Sequence, residues 1–338
     1  MDLKKLAQEL GVSQTTVSRA LNGYPEVSEK TRKRVIEAAN TYGYRPHSAA
    51  RRLATGQAGA IGFVMTINDD VPTDPLMMEF LAGAGAAAAK AGIDIHIAPT
   101  AKEDELETYR RLAGSRQVDS VIISAPAQDD PRIGLCTEIG LPFIVHGRAM
   151  QDKIPYPCVD IDNEGGFHEA TKLLLNMGHK QIGFLNGPTY LTFAAHREKG
   201  VRSALADTGL PEDAVTIHNG AMNEEFSYRS TLQLVEETQI SGLLCSSLIL
   251  AVGAVRALRE KGLVIGKDIS LIAHDDVFAY LRPDLFSIPL TCTRSPIRNA
   301  GYRIAERLSG IKRGQMLSCE HEIWPVDLVV RKSIGAAA

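Results

Sequence analysis

Leu3, Leu6, Ala7 and Leu10 recur at the i, i+3, i+4, i+7 spacing of one helix face, so the chain opens on a helix with an apolar stripe. Gly11 supplies the left-handed residue that ends it, and Val12 tucks into the core. Ser13 is placed to cap a second helix running from Gln14 to Leu21. On that helix Val17, Ala20 and Leu21 share one arc, and Gln14, Thr15, Ser18, Arg19 and Asn22 share the opposite one. A third helix follows Ser28, burying Val35, Ala38 or Ala39, and Tyr42, with Lys30, Arg32, Lys33 and Arg34 outside. The polar arc of the second helix holds hydrogen-bonding side chains and one Arg, with no acid and no apolar patch. That is what a helix entering the major groove of DNA requires, and it disfavours a three-helix protein-binding module.

From Ala60 onward the pattern changes to short β-rich runs separated by helical stretches. The first series of expected strands is Ile61–Met65, Ile95–Ala98, Val121–Ser124, Phe143–His146 and Val159–Ile161. The second is Ile182–Asn186, Val215–His218, Leu243–Cys245, Ile269–His274 and Thr291–Thr293. Such alternation favours parallel sheets wound by crossover helices. Two series imply two similar lobes with a ligand cleft between them, at the carboxyl ends of the strands.

Charge sharpens the division. Residues 1–57 hold ten Lys/Arg against five acids, whereas the rest of the chain holds 27 bases against 35 acids, within a net charge of −3. A basic head on an acidic body is the layout of a nucleic-acid-binding module joined to something else. With 338 residues, 44% of them apolar, the chain has ample material for two or three packed domains. No run of about 20 apolar residues occurs and the start Met1-Asp2-Leu3-Lys4-Lys5 has no signal-like apolar core, so the expectation is a cytoplasmic protein without a membrane span. Cys136, Cys158, Cys245, Cys292 and Cys319 are scattered and form no C-x-x-C pair, which reads as reduced core thiols.

The run Val12-Ser13-Gln14-Thr15-Thr16-Val17-Ser18-Arg19-Ala20-Leu21-Asn22-Gly23, with Val27-Ser28, Thr31-Arg32 and Tyr42-Gly43-Tyr44-Arg45-Pro46 behind it, resembles the head of the LacI family of repressors. The resemblance implies that Gln14, Thr15 and Arg19 read base edges and that Ser13, Thr16, Ser18 and Asn22 mostly hold phosphates. It further implies that the stretch from His47 to Gly56 is a hinge helix formed on operator DNA. Two copies would pair in the minor groove, Ala50 would allow close approach, and Leu53 would wedge a base step. Where the family commonly has Asn, this chain has His47. The body is similar to periplasmic sugar-binding proteins, and Val159-Asp160-Ile161-Asp162-Asn163-Glu164-Gly165, Gly178-His179-Lys180-Gln181-Ile182-Gly183 and Ile269 to Asp276 carry that likeness. The expected fold is therefore an α helix-turn-helix head plus an α/β body of two doubly wound parallel-sheet lobes of periplasmic-binding-protein type. The expected domains are a head at 1–46, a hinge at 47–57 and an effector-binding and dimerisation body at 58–338.

In the cleft the resemblance assigns Arg197, whose planar fork spans two sugar hydroxyls, and Asp275, at the end of an expected strand, as an acceptor. Phe193 would stack nearby. The alternatives are a surface salt bridge to Glu198 for Arg197 and a helix cap for Asp275. The family's Asn-Asp after the strand ending at Cys245 is replaced by Ser247-Leu248, and its Asn-Pro-Phe-Phe appears as Asp74-Pro75-Leu76-Met77. Loss of a carboxylate and an aromatic suits a ligand larger or less polar than a monosaccharide, with Ser247 left among the effector residues. Leu244-Cys245-Ser246-Ser247, Ile272 to Asp276 and Thr293-Arg294-Ser295-Pro296 look similar to repressors of α-glucoside uptake genes in rhizobia and their relatives.

Other signals carry less. Gly83-Ala84-Gly85 mimics a dinucleotide fingerprint but lies inside a helix, which favours close packing. His168-Glu169 lacks a second His at metal spacing, and no G-x-S-x-G elbow exists. His146, His179 and His274 read as core or cleft histidines. The expectation is a sugar-responsive repressor with no catalytic residues, metal or cofactor. Acting as a homodimer, it would read two half-sites of a near-palindromic double-stranded operator. The tail after Ser333 has no apolar heptads for a tetramerising coiled coil. Competing readings are the same fold answering to a co-repressor or non-sugar effector, a sugar-processing enzyme with a DNA-targeting head, and a sugar-transport component.

Overall fold

A computed structural model describes residues 2–21, 24–44, 56–67, 75–150, 154–274, 278, 280–311, 314, 315 and 317–337. It forms two compact units, Met1–Gly59 and Ala60–Ala338.

The first unit holds three helices, α1 (Leu3–Leu10), α2 (Gln14–Leu21) and α3 (Glu29–Thr41). Asp2 caps α1 and Gly11, at φ 66°, closes it by donating its N–H to Ala7 and Gln8 carbonyls. Ser13 Oγ accepts from the Thr16 amide at 3.0 Å and caps α2, which starts at the next residue. Leu6, Ala7, Val17, Ala20, Val27, Val35 and Ala39 form the core. Two expectations for α3 need correction. Tyr42 is 48% exposed rather than core, because it follows the last helical residue, where the buried face no longer continues. Arg32 is half-buried, its guanidinium donating to the Tyr24 carbonyl at 2.8 Å, so it braces the α2–α3 turn instead of standing outside.

The second unit begins with β1 (Ala60–Thr66), α4 (Pro75–Ala91), β2 (Asp94–Thr100), α5 (Glu105–Ser115), β3 (Ser120–Ser124), α6 (Pro131–Glu138), β4 (Phe143–His146) and β5 (Cys158–Ile161). It continues with α7 (Asn163–Asn176), β6 (Ile182–Asn186), α8 (Thr192–Asp207), β7 (Val215–Asn219), α9 (Glu224–Glu237), β8 (Gly242–Cys245), α10 (Leu248–Glu260), β9 (Ser270–His274) and β10 (Thr291–Arg294). Every expected strand is present within a residue or two of its expected bounds. The inner strands β3, β5, β6, β8 and β9 are buried nearly throughout, as parallel strands covered by helices on both faces must be. The outer strands β2 and β7 are half-exposed.

The chain then does something its pattern did not announce. It returns to the first lobe for α11 (Ile297–Ser309) and β11 (His321–Trp324), and crosses once more for β12 (Asp327–Val329). The sheets thus run β11-β5-β4-β3-β1-β2 and β12-β10-β9-β8-β6-β7. All pairings are parallel except β10 with β12, so the second sheet carries one antiparallel edge. Helix α11 packs on α4, and the Gly83-Ala84-Gly85 stretch explains how closely. A Cβ on Gly83 would lie 1.8 Å from the Arg298 carbonyl oxygen, and one on Gly301 would lie 2.1 Å from that of Phe80. Cys136, Cys158, Cys245 and Cys292 are buried and not in disulfides, whereas Cys319 is exposed, outside the expected core role. Burial pushes the Cys136 thiol up to about 12, so it stays protonated and inert.

Candidate functional site

On α2 the arcs separate as the periodicity requires. Val17 and Ala20 are buried, Gln14, Thr15 and Arg19 are exposed, and Thr16 and Ser18 are partly covered. Gln14, Thr15, Ser18 and Arg19 line one concave patch with Leu3 and Tyr24. Ser13 is exposed at the head of the helix and its hydroxyl also shares a hydrogen bond with Thr16 Oγ1 at 2.9 Å. This surface presents donors, acceptors and one guanidinium on a rigid helix of eight residues. Asn22, Ala50 and Leu53, with most of the expected hinge, lie outside the described residues.

In the body, the cavity between the lobes gathers the ends of strands from both sheets. Ser124, Ala125 and Pro126 follow from β3, His146 and Gly147 from β4, and Asp160 and Ile161 from β5. The second lobe contributes Asn163, Thr192, Phe193, His196, Arg197, Met222 and His274, and the return segment Ser295 and Ile297. In both sheets the winding direction reverses at β1 and β6, each flanked on either side by the strands that follow it. Leu76, Met77 and Phe80 of α4 supply an apolar wall. Leu76 and Met77 occupy the positions where an aromatic pair was expected to be lost. Asp74 lies outside the described residues.

Arg197 is buried, not a surface residue. Its Nε donates to Asn163 Oδ1 and its Nη1 to the Ser246 carbonyl, both at 2.8 Å. The guanidinium carbon lies 4.7 Å from the Phe193 ring centre and 5.3 Å from that of Phe167. Glu198, the alternative partner, pairs with Arg202 instead. Phe193 and Arg197 thus meet in the cavity wall. Ser247 does not line it: its hydroxyl accepts from the Leu250 amide at 3.2 Å and caps α10, a local role that Ser at a strand–helix junction fills readily. Asp275 lies outside the described residues.

Several cavity residues were not foreseen as site residues. Asp160 is buried and accepts from Arg148 Nε at 2.6 Å. His146 stacks on Phe80 at 4.5 Å, and His274 meets the Phe167 ring at 5.4 Å and the Thr293 hydroxyl. His196, facing Arg148 and Asp160, is held below the ordinary histidine range by burial and by the Arg148 charge. His179, by contrast, is structural, bonded to Ser241 Oγ and the Gly335 carbonyl. The position of His146 and His274 at strand carboxyl ends was the available signal. Ala125 takes φ 47°, a left-handed conformation uncommon for a residue with a side chain, and forms part of the cavity rim. Buried Arg132 fastens that rim, donating to the Ser124 and Ala125 carbonyls and to Asp130 and Glu105. Burial alone would raise the Asp130 carboxyl, but Arg132 and two backbone N–H groups hold it below its usual range.

Among the described residues no group of three or more His, Cys, Asp or Glu is arranged to hold a metal ion, and no helix is long and apolar enough to cross a membrane. The buried planar cation beside two rings, with a carboxylate, histidines and an apolar wall about it, is chemistry for polyhydroxylated rings: bidentate donors in the plane and apolar contact on the faces.

Comparison with known proteins agrees with both halves of this geometry. Residues 2–47 match the family of bacterial regulatory proteins of the lacI type, and residues 58–323 match periplasmic binding proteins and the sugar binding domain of the LacI family. The HTH-type transcriptional regulator AglR of Rhizobium meliloti (strain 1021) is 49% identical over 338 residues, covering 100% of this chain and 95% of that one. A solved lac repressor dimer bound to operator and the anti-inducer ONPF superposes with a TM-score of 0.83 at 26% identity, covering 100% and 99% of the two chains. The transcriptional regulator CelR in complex with cellobiose gives 0.74 at 26% identity, covering 98% and 99%. With a helix-turn-helix head, a two-lobed body and both family models matched along nearly its whole length, this chain belongs to the LacI family of bacterial transcriptional regulators.

Proposed function

We propose that the chain is a cytoplasmic, homodimeric repressor of carbohydrate uptake or catabolism genes whose grip on a near-palindromic operator is released by an α-glucoside. The observation that carries the reading is the cavity: Arg197 over the rings of Phe167 and Phe193, with the apolar wall of Leu76, Met77 and Phe80 lining the same space. A planar donor fork and an extended apolar surface suit a two-ring sugar better than a single small one. The cellobiose bound by CelR, itself a two-ring sugar, agrees in size with this reading. Gln14, Thr15 and Arg19 of α2 read bases, while Ser13, Thr16, Ser18 and Asn22 hold phosphates. Residues 47–57 act as the hinge, with Ala50 and Leu53 at the minor groove, and Asp275 joins Phe193 and Arg197 around the sugar. No residue is assigned a catalytic role.

The mechanism is linkage. Sugar favours one arrangement of the lobes, the two hinges of the dimer are no longer held together, and operator affinity falls. By reciprocity operator weakens sugar binding by the same factor, with a coupling of about 1–3 kcal/mol. The test is a titration of labelled operator with the full-length protein, with and without maltose, sucrose and trehalose. Weakened operator binding with a sugar that calorimetry shows to bind supports induction. Unchanged affinity rejects it, and tightened affinity makes the sugar a co-repressor. Turnover of the bound sugar would replace this reading with an enzymatic one.

A further inference from the structure

The first crossing between the lobes is short. Strand β5 ends at Ile161, Asp162 accepts from the Gly165 amide to cap α7, and Asn163 is the first residue of that helix. Asn163 is buried, and its amide is used at both ends. Nδ2 donates to the Ile161 carbonyl at 3.1 Å, and Oδ1 accepts from Arg197 Nε at 2.8 Å.

The consequence follows from the shape of the arginine site. A guanidinium attracted to two ring faces is held near them, yet that attraction has no direction within the guanidinium's own plane and leaves it free to turn. Two bonds oppose that turn, Nε to Asn163 and Nη1 to the Ser246 carbonyl. The Ser246 bond ties Arg197 to the second lobe's own sheet. The Asn163 bond ties it to the peptide that leaves the first lobe. The amide offers an acceptor for Nε and a donor for Ile161 at once. A carboxylate keeps the first bond and loses the second, and an apolar side chain loses both.

We propose that Asn163 is a positioning residue, one that sets the in-plane orientation of Arg197 toward the effector and ties that orientation to the end of β5. The proposal rests on the reading of Arg197 as an effector contact.

The test uses the full-length protein with ¹⁵N-labelled arginine. The Arg197 Nε–H signal, assigned through Arg197→Lys, is expected to exchange slowly in the wild type, to vanish or broaden in Asn163→Leu, and to persist in Asn163→Asp. In calorimetry with whichever of maltose, sucrose and trehalose binds the wild type most tightly, Asn163→Leu is expected to lose about tenfold or more in affinity, the order expected for a hydrogen bond to a charged group. Asn163→Asp is expected to keep most of the affinity. The same Leu substitution placed in an Arg197→Lys background is expected to cost little further, since the effect passes through the guanidinium. An Arg197 signal indifferent to Asn163→Leu overturns the proposal. So does an equal fold-loss in the Arg197→Lys background, which would make Asn163 a direct sugar contact. If the signals behave as expected while the wild type binds none of the sugars, the effector reading fails and the positioning of Arg197 stands.

Discussion

Thr192 in the second lobe gives both its backbone N–H and its hydroxyl to one acceptor in the first, the carbonyl of Pro126, at 3.1 and 3.0 Å. Leu191 bridges Ala127 beside it, and Gln128 Nε2 reaches the Thr189 carbonyl at 3.0 Å. These contacts clasp the two walls of the cavity together, on a rim whose Ala125 is already in an uncommon backbone conformation. Thr192→Val keeps the shape and the N–H bond but removes the hydroxyl. The lobes should then hold each other less well by about 0.5–1.5 kcal/mol, with sugar affinity falling by about threefold to tenfold. Calorimetry with the full-length protein checks this, and unchanged affinity would remove the clasp from any part in closure.

Arg19 stands exposed on α2 beside Gln14, Thr15 and Ser18. As a fork reading a base edge, its replacement by Ala should cost about 1–3 kcal/mol of operator binding and relax preference at one position. Selection from a randomised operator distinguishes this from a phosphate contact, for which binding would weaken equally on all sequences.

The seam between α4 and α11 makes two glycines two residues apart behave oppositely. At Gly83 an added Cβ meets backbone at 1.8 Å, whereas at Gly85 nothing lies within 4 Å. Gly83→Ala should destabilise the body by about 1–3 kcal/mol or more through overpacking. Gly85→Ala should stabilise it by up to about 1 kcal/mol through helix propensity. Urea unfolding of the two variants decides the matter, and similar midpoints would contradict the close approach.

Stability should also respond to pH through the cavity. His196 is held low by burial and by Arg148, and His179 and His218 are held low by burial. For each, the unfolded chain takes up a proton before the folded one does. Folding therefore weakens as pH falls through about 6.5, the ordinary histidine value. His168, raised by its bond to Asp207, contributes in the opposite sense, and its share is lost as pH rises through its folded value. Thermal melts between about pH 5 and 8 should show a shallower acid-side decline for His196→Gln than for the wild type. Parallel curves would show that Arg148 and Asp160 do not sense this ring.

Much of the molecule was legible in local pattern. The three helices of the head, the caps at Ser13 and Ser28, and all ten strands of the first and second series follow from the 3.6-residue period of helices, from short β-rich runs and from residues that cap or end helices. Those signals are strong because each depends on neighbours a few positions away. The family likeness added Arg197 and Phe193, which the structure does bring together. It also added Ser247, which the structure spends on a helix cap.

What the linear pattern could not hold is the company each element keeps. Nothing local distinguishes α11 as a helix of the first lobe, and β11 and β12 are short, half-exposed and parted by Pro325, so no periodicity marks them. Asp160, His196 and Asn163 carry no cleft role in the sequence reading until the two sheets bring them to one cavity with Leu76, His274 and Ile297, residues far from them along the chain. The amino-acid order by itself determined which stretches are helix or strand and which faces must be buried, because those follow from short-range sterics and hydrophobic spacing. Which side chains share the cavity was decided only when the chain crossed between its lobes three times, since that choice is made by packing over long separations in sequence.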